Sequence, residues 1–215
     1  MGLKEDYTRE IISIVNFPNE SAQGWSLVFE SIKERNVKSL GLVVSDGLTG
    51  LDKKIVEIFG KTPHQKCIVH LQRNLSAYVR NNDKKELAAD FRAILSPDDN
   101  GNSLEKVEEK LKEMSIKWLP RYKSLSKYLD KLNWQPYFVY LQFDVRIRRM
   151  IYTTNWIERF NKSCRRTLKI RGSFPSEESV LALITSVAKD KSEGKYRYPI
   201  YTFKYEEKLK RPRTD

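Results

Sequence analysis

The sequence predicts an α/β fold whose front alternates strands with helices and whose middle is helical. Two observations predict it. The first is a strand–helix–strand–helix–strand order over roughly the first 75 residues, which implies parallel pairing through helical crossovers. The second is a run of 3.6-residue periodicity from Asp83 to about Leu132, which no strand pattern interrupts.

The elements follow in order. "REIISIVNF" (Arg9 to Phe17) is β-branched and apolar and reads as a buried strand. "ESAQGWSLVFESIKERN" places Trp25, Val28, Phe29 and Ile32 at i, i+3, i+4 and i+7, one face of a helix. "SLGLVVSDG" is a second apolar strand that stops at Ser45 and Asp46. "GLDKKIVEIFG" is a short helix with Leu51, Ile55 and Phe59 inward, and "HQKCIVH" is a third short strand running into a helix near His70. Leu87, Phe91 and Ile94 mark a helix, as do Leu104, Val107 and Leu111, with a turn at Pro97 to Gly101 between them. Trp118, Tyr122, Leu125 and Leu129 mark a further helix, and the aromatic stretch Trp134 to Phe143 reads as rigid core. A helix after Asn155 follows, then the turn and cap "GSFPSEES", then an apolar helix over Val180 to Val187. The polar tail after Lys189 is expected to fray. No internal repeat or low-complexity segment breaks this order.

At 215 residues the chain is long enough for one domain with a sizeable core, or one domain plus an insertion. A hydrophobic fraction of 40% and an aromatic fraction of 11% belong to a folded protein. No apolar run approaches the roughly 18 residues of a membrane span, and "MGLKEDYTRE" lacks the apolar core of a signal peptide. Two cysteines far apart, Cys67 and Cys164, suit a reduced cytosolic chain.

The formal charge is +12, and its position matters more than its size. Residues 146–171 hold nine basic side chains against Glu158 alone, a net +8, whereas the first 145 residues hold 22 basic and 20 acidic, a net +2. A localised basic stripe is the footprint of a polyanion partner. The bland alternative is a solvated helix face, but such faces usually mix signs.

Few residues carry chemical potential. Asp46 sits where an apolar strand ends, before Gly47. In open α/β sheets ligands bind at the carboxyl ends of strands, although "SDG" reads equally as a turn signal. Cys67 and His70 form C-x-x-H, half of a zinc site by spacing, with no second pair to complete it and His64 the only other histidine. The plainer reading makes Cys67 core and His70 a hydrogen-bonded residue near a helix start. A Cys–His nucleophile would need an orienting third group. Asn155-x-x-Glu158 has the spacing of a capping box. Yet Glu158, Lys162, Arg165 and Lys169 fall on one stripe at i, i+4, i+7 and i+11. A carboxylate heading a basic stripe is also what metal-assisted phosphoryl chemistry requires.

Four segments, "VVSDGLTGLDKKIVEIF", "HQKCIVHLQRN", "KKELAADFRAIL" and "IYTTNWIERFNKSCRRTLKIRGSFPSEES", strongly resemble the Mutator-type transposases of bacterial insertion sequences, in order and in spacing. The resemblance covers roughly residues 9–190. It implies a ribonuclease-H-like core, N-terminally incomplete and interrupted by an all-helical insertion. The corresponding divisions are 1–80 for the core, 81–145 for the insertion, 146–190 for the return to the core with the glutamate helix, and 191–215 for a basic tail. It also implies an Asp–Asp–Glu triad that binds Mg²⁺ for DNA strand cleavage and strand transfer. The second Asp maps to Asp46 and the Glu to Glu158, as catalytic residues and metal ligands. Cys67, His70 and Asn155 are implied to lie near the active site. Trp156 stands where the family pattern has a smaller residue.

The basic residues Arg149, Arg159, Lys162, Arg165, Arg166, Lys169 and Arg171 are the expected DNA contacts. The implied partners are double-stranded insertion-sequence ends, a second copy or a full-length transposase, in the bacterial cytoplasm and away from membranes. The family's first Asp belongs to an opening strand, and Asp6 lies outside any apolar strand and does not match it. The chain is therefore expected to be a C-terminal transposase part that is inactive alone, with an unpaired apolar edge at Arg9 to Phe17. The alternative is a non-catalytic DNA-binding remnant that associates or interferes with a full-length relative. An RNA-binding reading rests on charge alone, without an aromatic RNA-reading strand motif.

Overall fold

A computed structural model of the chain describes residues 1–17, 21–97 and 101–203. The fold is mixed α/β and mostly helical, 62% of it. It divides into two compact units, one built from residues 1–41, 48–62 and 155 onward, the other from 42–47 and 63–154.

In the first unit, β1 (Gly2–Leu3) pairs antiparallel with β2 (Arg9–Glu10). Helix α1 (Ala22–Glu34) starts at Ser21, whose hydroxyl accepts from the Gly24 N–H at 3.1 Å, the usual N-cap bond. Most of its predicted face is buried: Trp25 is half-buried, and Val28, Phe29 and Ile32 are buried. They face α2 (Leu51–Phe59), which buries Leu51, Ile55 and Phe59, and the Phe29 and Phe59 rings meet edge-on at 5.9 Å. Helices α8 (Asn155–Arg171) and α9 (Glu177–Glu193) complete the unit. A reciprocal capping box between Ser176 and Ser179 opens α9.

Two expectations fail in this unit. The buried strand over Arg9 to Phe17 is not formed: only Arg9 and Glu10 enter a ladder, and Val15 and Phe17 are exposed. There is thus no seven-residue apolar strand edge. Instead Ile11 and Ile14 join Met1 in packing against the buried Phe160, Cys164 and Ala188. A β-branched run forms a strand only where a partner strand faces it, and here helix side chains take that place. Nor does the tail fray from Lys189 on. Helix α9 continues to Glu193, Tyr196 is buried, and the buried Phe203 stacks on Tyr7 at 4.3 Å. The rest of the basic tail, 204–215, lies outside the described residues.

In the second unit, β3 (Val43–Ser45) and β4 (His64–Lys66) form a parallel pair in register Val43–His64, Val44–Gln65, Ser45–Lys66. They are the second and third strands of the sequence reading, shorter than expected. Helix α3 (Ile68–Ser76) begins directly after Cys67, two residues before His70. Helices α4 (Lys84–Ile94), α5 (Leu104–Trp118) and α6 (Lys123–Lys131) follow. Leu87, Phe91, Ile94, Val107 and Leu111 are buried as expected, but Leu104, the first residue of α5, is exposed. Trp118 ends α5 rather than opening the next helix, and Tyr122 is the N-cap of α6. The turn proposed around Pro97 includes residues 98–100, outside those described. Trp118 is fully buried, and its indole N–H donates to Asp90 at 2.9 Å. Two short 3₁₀ turns and α7 (Val145–Ile151) end the unit.

Gln65 is an unexpected core residue. Its side chain is fully buried between the strands and the 3₁₀ turns. Its amide donates to the carbonyls of Lys66 at 2.7 Å and Tyr137 at 3.0 Å, and its carbonyl accepts from the Tyr140 N–H at 2.8 Å. Gln65→Leu keeps the volume but strands these backbone groups, at about 1–3 kcal/mol each. The three together put the expected loss at about 3 kcal/mol or more. Thermal unfolding should show a drop of about 2–4 °C per kcal/mol for a chain of this length. A change under about 1 kcal/mol would mean that Gln65 does not tie strand to turn.

Asp144 caps α7. It accepts from the Arg146 N–H at 2.9 Å and pairs with the Arg146 guanidinium at 2.8 Å. That guanidinium first, and then the backbone N–H, hold its carboxyl down at about 2. A depressed carboxylate stabilises the fold above its unfolded value of about 3.8, and the contribution is lost as pH falls through about 2. The stability difference between the chain and its Asp144→Ala variant should therefore be steady above about pH 4 and narrow below it. At neutral pH loss of the cap is worth about 1 kcal/mol. A gap that does not narrow in acid would contradict the assignment.

Candidate metal centre and basic helix

Asp46 follows the last residue of β3, and Cys67 follows the last residue of β4. Parallel pairing in register brings both to the same end of the strands, where the Cys67 N–H donates to the Ser45 carbonyl at 2.8 Å. Gly47 turns the chain away with φ of +90°, a left-handed conformation that glycine adopts without strain. Its N–H donates to Ser45 Oγ. Cys67 is the N-cap of α3, and one helical turn later His70 projects from the same helix.

One ligand atom each from Asp46, Cys67 and His70 lies within 4.8 Å of the other two. His70 Nδ1 is 3.3 Å from Asp46 Oδ1. Arg73 Nη1 approaches His70 Nε2 at 3.3 Å. Guanidinium only donates, so Nε2 accepts and a neutral ring carries its proton on Nδ1. Cys67 is almost fully buried, and its sulfur accepts from the Thr154 N–H at 3.4 Å and the Thr154 hydroxyl at 3.3 Å. The Ile68 N–H donates to the Tyr152 carbonyl at 3.1 Å. The segment 152–154 is thereby pinned at the head of α3. The Asp46 side chain is 56% exposed, whereas His70 Nδ1 and the Cys67 side chain are buried, so the cluster opens to solvent on its carboxylate side.

Glu158 and Asn155 belong to the other unit. Asn155 is the first helical residue of α8 rather than its cap, and half-buried Glu158 lies in the first turn. A carboxylate there is favoured by the positive end of the helix. Asp46 and Glu158 both present hard oxygen donors that water can reach, as Mg²⁺ demands. Asp6 lies in the turn between β1 and β2, where it accepts from the N–H and hydroxyl of Thr8; these bonds, the hydroxyl first, hold its carboxyl low.

Helix α8 separates its faces. Phe160 and Cys164 are buried, and burial pushes the Cys164 thiol up, the mark of an inert structural cysteine. At about 100° per residue, Lys162, Arg165 and Lys169 lie opposite that face and Arg159 and Arg166 beside them. All five are exposed. Exposed Arg171 lies on the other side, its guanidinium 5.7 Å from the Phe174 ring. Arg149 is exposed on α7, in the second unit. Two arginines of the basic stretch act locally instead: Arg146 pairs with Asp144, and buried Arg148 donates to the carbonyls of Phe143 and Leu141. Trp156 lies 5.3 Å from the Arg9 guanidinium, whose other neighbour is Tyr196 at 4.6 Å. The bulk of Trp156 thus serves a cation–aromatic stack.

The model of the family "Transposase, Mutator family" matches residues 1–197. The chain belongs to the Mutator family of transposases. It is 32% identical over 93% of its length to the probable transposase for insertion sequence element ISRM3-like of Sinorhizobium fredii, covering 49% of that protein. It is 31% identical over 93% of its length to the transposase for ISRM3 of Rhizobium meliloti, covering 49% of it. Against the transposase for IS905 of Lactococcus lactis the identity is 26% over 88% of the chain and 47% of the relative. The chain spans about half the length of these Mutator-family relatives. Among the described residues no helix is long and apolar enough to cross a membrane.

The C-x-x-H pair was legible in the sequence; its place beside Asp46 was implied by the family resemblance and not by spacing. The signal that could have found it is the register itself, since Asp46 and Cys67 each follow the last residue of a paired strand.

Proposed function

We propose that this chain is part of the catalytic region of a DNA transposase, acting in strand cleavage and strand transfer at insertion-sequence ends. Its strand pair and α8 would belong to a ribonuclease-H-like core, and the helices between β4 and α7 to the insertion. The observation that carries the reading is the place of Asp46 at the carboxyl end of a parallel strand pair, in a chain of the Mutator family. Asp46 and Glu158 are the proposed holders of Mg²⁺. When bound, Mg²⁺ lowers the pKa of a coordinated water or hydroxyl and neutralises charge on the phosphoryl oxygens. The remaining work falls to side chains of this chain. His70 lies beside the Asp46 carboxylate, Nδ1 3.3 Å from Oδ1, and Arg73 holds the ring through Nε2. The cations of α8 hold the phosphate backbone of double-stranded DNA.

Two carboxylates are one short of the family's triad, so the chain alone is proposed to be inactive. A longer relative would supply the third. Exposed cations on α8 favour a second reading, in which the chain binds DNA and a full-length transposase without catalysing anything. A strand-cleavage and joining assay on insertion-sequence ends separates the two when residues 1–197 replace the matching half of a longer relative: turnover supports the first reading and its absence the second.

A further inference from the structure

We propose that Asp46, Cys67 and His70 form a binding site for a zinc-class divalent cation, separate in chemistry from any Mg²⁺ site. The proposal goes beyond the transposase reading and stands without it.

The donor set is the first argument. One thiolate, one imidazole and one carboxylate suit Zn²⁺ and its surrogate Co²⁺, whereas Mg²⁺ takes oxygen. Geometry is the second. Two ligands at about 2.0–2.2 Å from a tetrahedral ion are about 3.3–3.5 Å apart. The spacing of His70 Nδ1 from Asp46 Oδ1, 3.3 Å, already meets that. The three ligand atoms all lie within 4.8 Å, so closure on an ion takes a side-chain adjustment of about an ångström. The fourth position is left to water, on the side of the exposed Asp46 carboxylate.

The surroundings are the third argument. Thr154 directs two donors at the sulfur, and bonds of this kind orient a metal-bound ligand. Cys67 is also the N-cap of α3, where a negative sulfur meets the positive end of a helix. One contact opposes binding. Coordination through Nδ1 puts the imidazole proton on Nε2, which then faces the donating Arg73 guanidinium, so Arg73 must turn away. Binding releases the thiol proton to solvent and moves the ring proton from Nδ1 to Nε2. If Asp46 serves Mg²⁺ as proposed above, zinc occupancy withdraws it.

The test is titration of the purified chain with Co²⁺, followed by absorption. One equivalent should produce a thiolate-to-cobalt charge-transfer band that Zn²⁺ removes and excess Mg²⁺ does not. Cys67→Ser should abolish the band, and Cys164→Ser should leave it intact. Asp46→Asn, on an exposed side chain, should weaken binding at least tenfold without unfolding the chain, as circular dichroism would verify. Arg73→Ala should tighten it. Absence of the band in the folded chain overturns the proposal, as does a band that survives Cys67→Ser. None of these readouts involves DNA or turnover, so failure here and failure of the transposase reading are distinguishable.

Discussion

The purified chain, given insertion-sequence ends and Mg²⁺ or Mn²⁺, should cleave and join no DNA. A chimaera in which residues 1–197 replace the matching half of the ISRM3-like relative should do both. In that chimaera Asp46→Asn or Glu158→Gln should each lower the rate by about 10³-fold or more. The size follows from what a metal ligand supports: stabilisation of transition-state charge worth several kcal/mol, at about 1.4 kcal/mol per factor of ten. The isosteric amides keep shape and remove only charge, so folding should survive. Glu158 offers a further control, because a carboxylate in the first turn of α8 also favours the helix by about 0.3–1 kcal/mol. A purely structural Glu158 would show a small stability loss and full activity. Turnover by the chain alone that vanishes on Glu158→Gln would overturn the inactivity, and would mean that a second subunit or another carboxylate completes the set.

Duplex DNA binding should weaken steeply with salt, and the exposed face of α8 should be the reason. Each neutralised phosphate contributes about 0.9 to the slope of log affinity against log salt. Five contacts, from Arg159, Lys162, Arg165, Arg166 and Lys169, would give a slope near −4.5. Affinity would then fall about 500-fold between 50 and 200 mM salt. Replacing Arg165, Arg166 and Lys169 with alanine should reduce the slope by about 2.7 and the fall to about tenfold. All three side chains are exposed, so stability should change by no more than about 0.5 kcal/mol. The loss should be nearly equal on every DNA sequence, since phosphate contacts carry no base information. An unchanged slope in the triple variant would leave this face as solvated surface and return the question to Arg149 and Arg171.

Helical faces were readable because they are local. Val28, Phe29 and Ile32 on α1, or Leu51, Ile55 and Phe59 on α2, come to one side by the pitch of the helix alone. The end of β3 was readable too, since Ser45-Asp46-Gly47 punctuates an apolar stretch, whereas β4 stops at Lys66 and α3 starts at Ile68, inside the run read as strand. The family itself was legible, because four motifs in register leave little room for chance. Pairing is not local, and there the reading failed. Ile11 to Phe17 has the composition of a strand, but composition does not say whether another strand or a helix face will cover it. The basic stretch posed the same problem in charge. Only packing shows that Arg148 is buried on backbone carbonyls while Arg165 and Arg166 reach solvent. Gln65 sits unmarked inside the run read as a third strand and is a fully bonded core residue. By itself the sequence determined which residue types were available: an aspartate after one strand, a cysteine and a histidine three apart after another. That these three meet was decided by strand register, a tertiary property set by hydrogen bonds between segments some twenty residues apart.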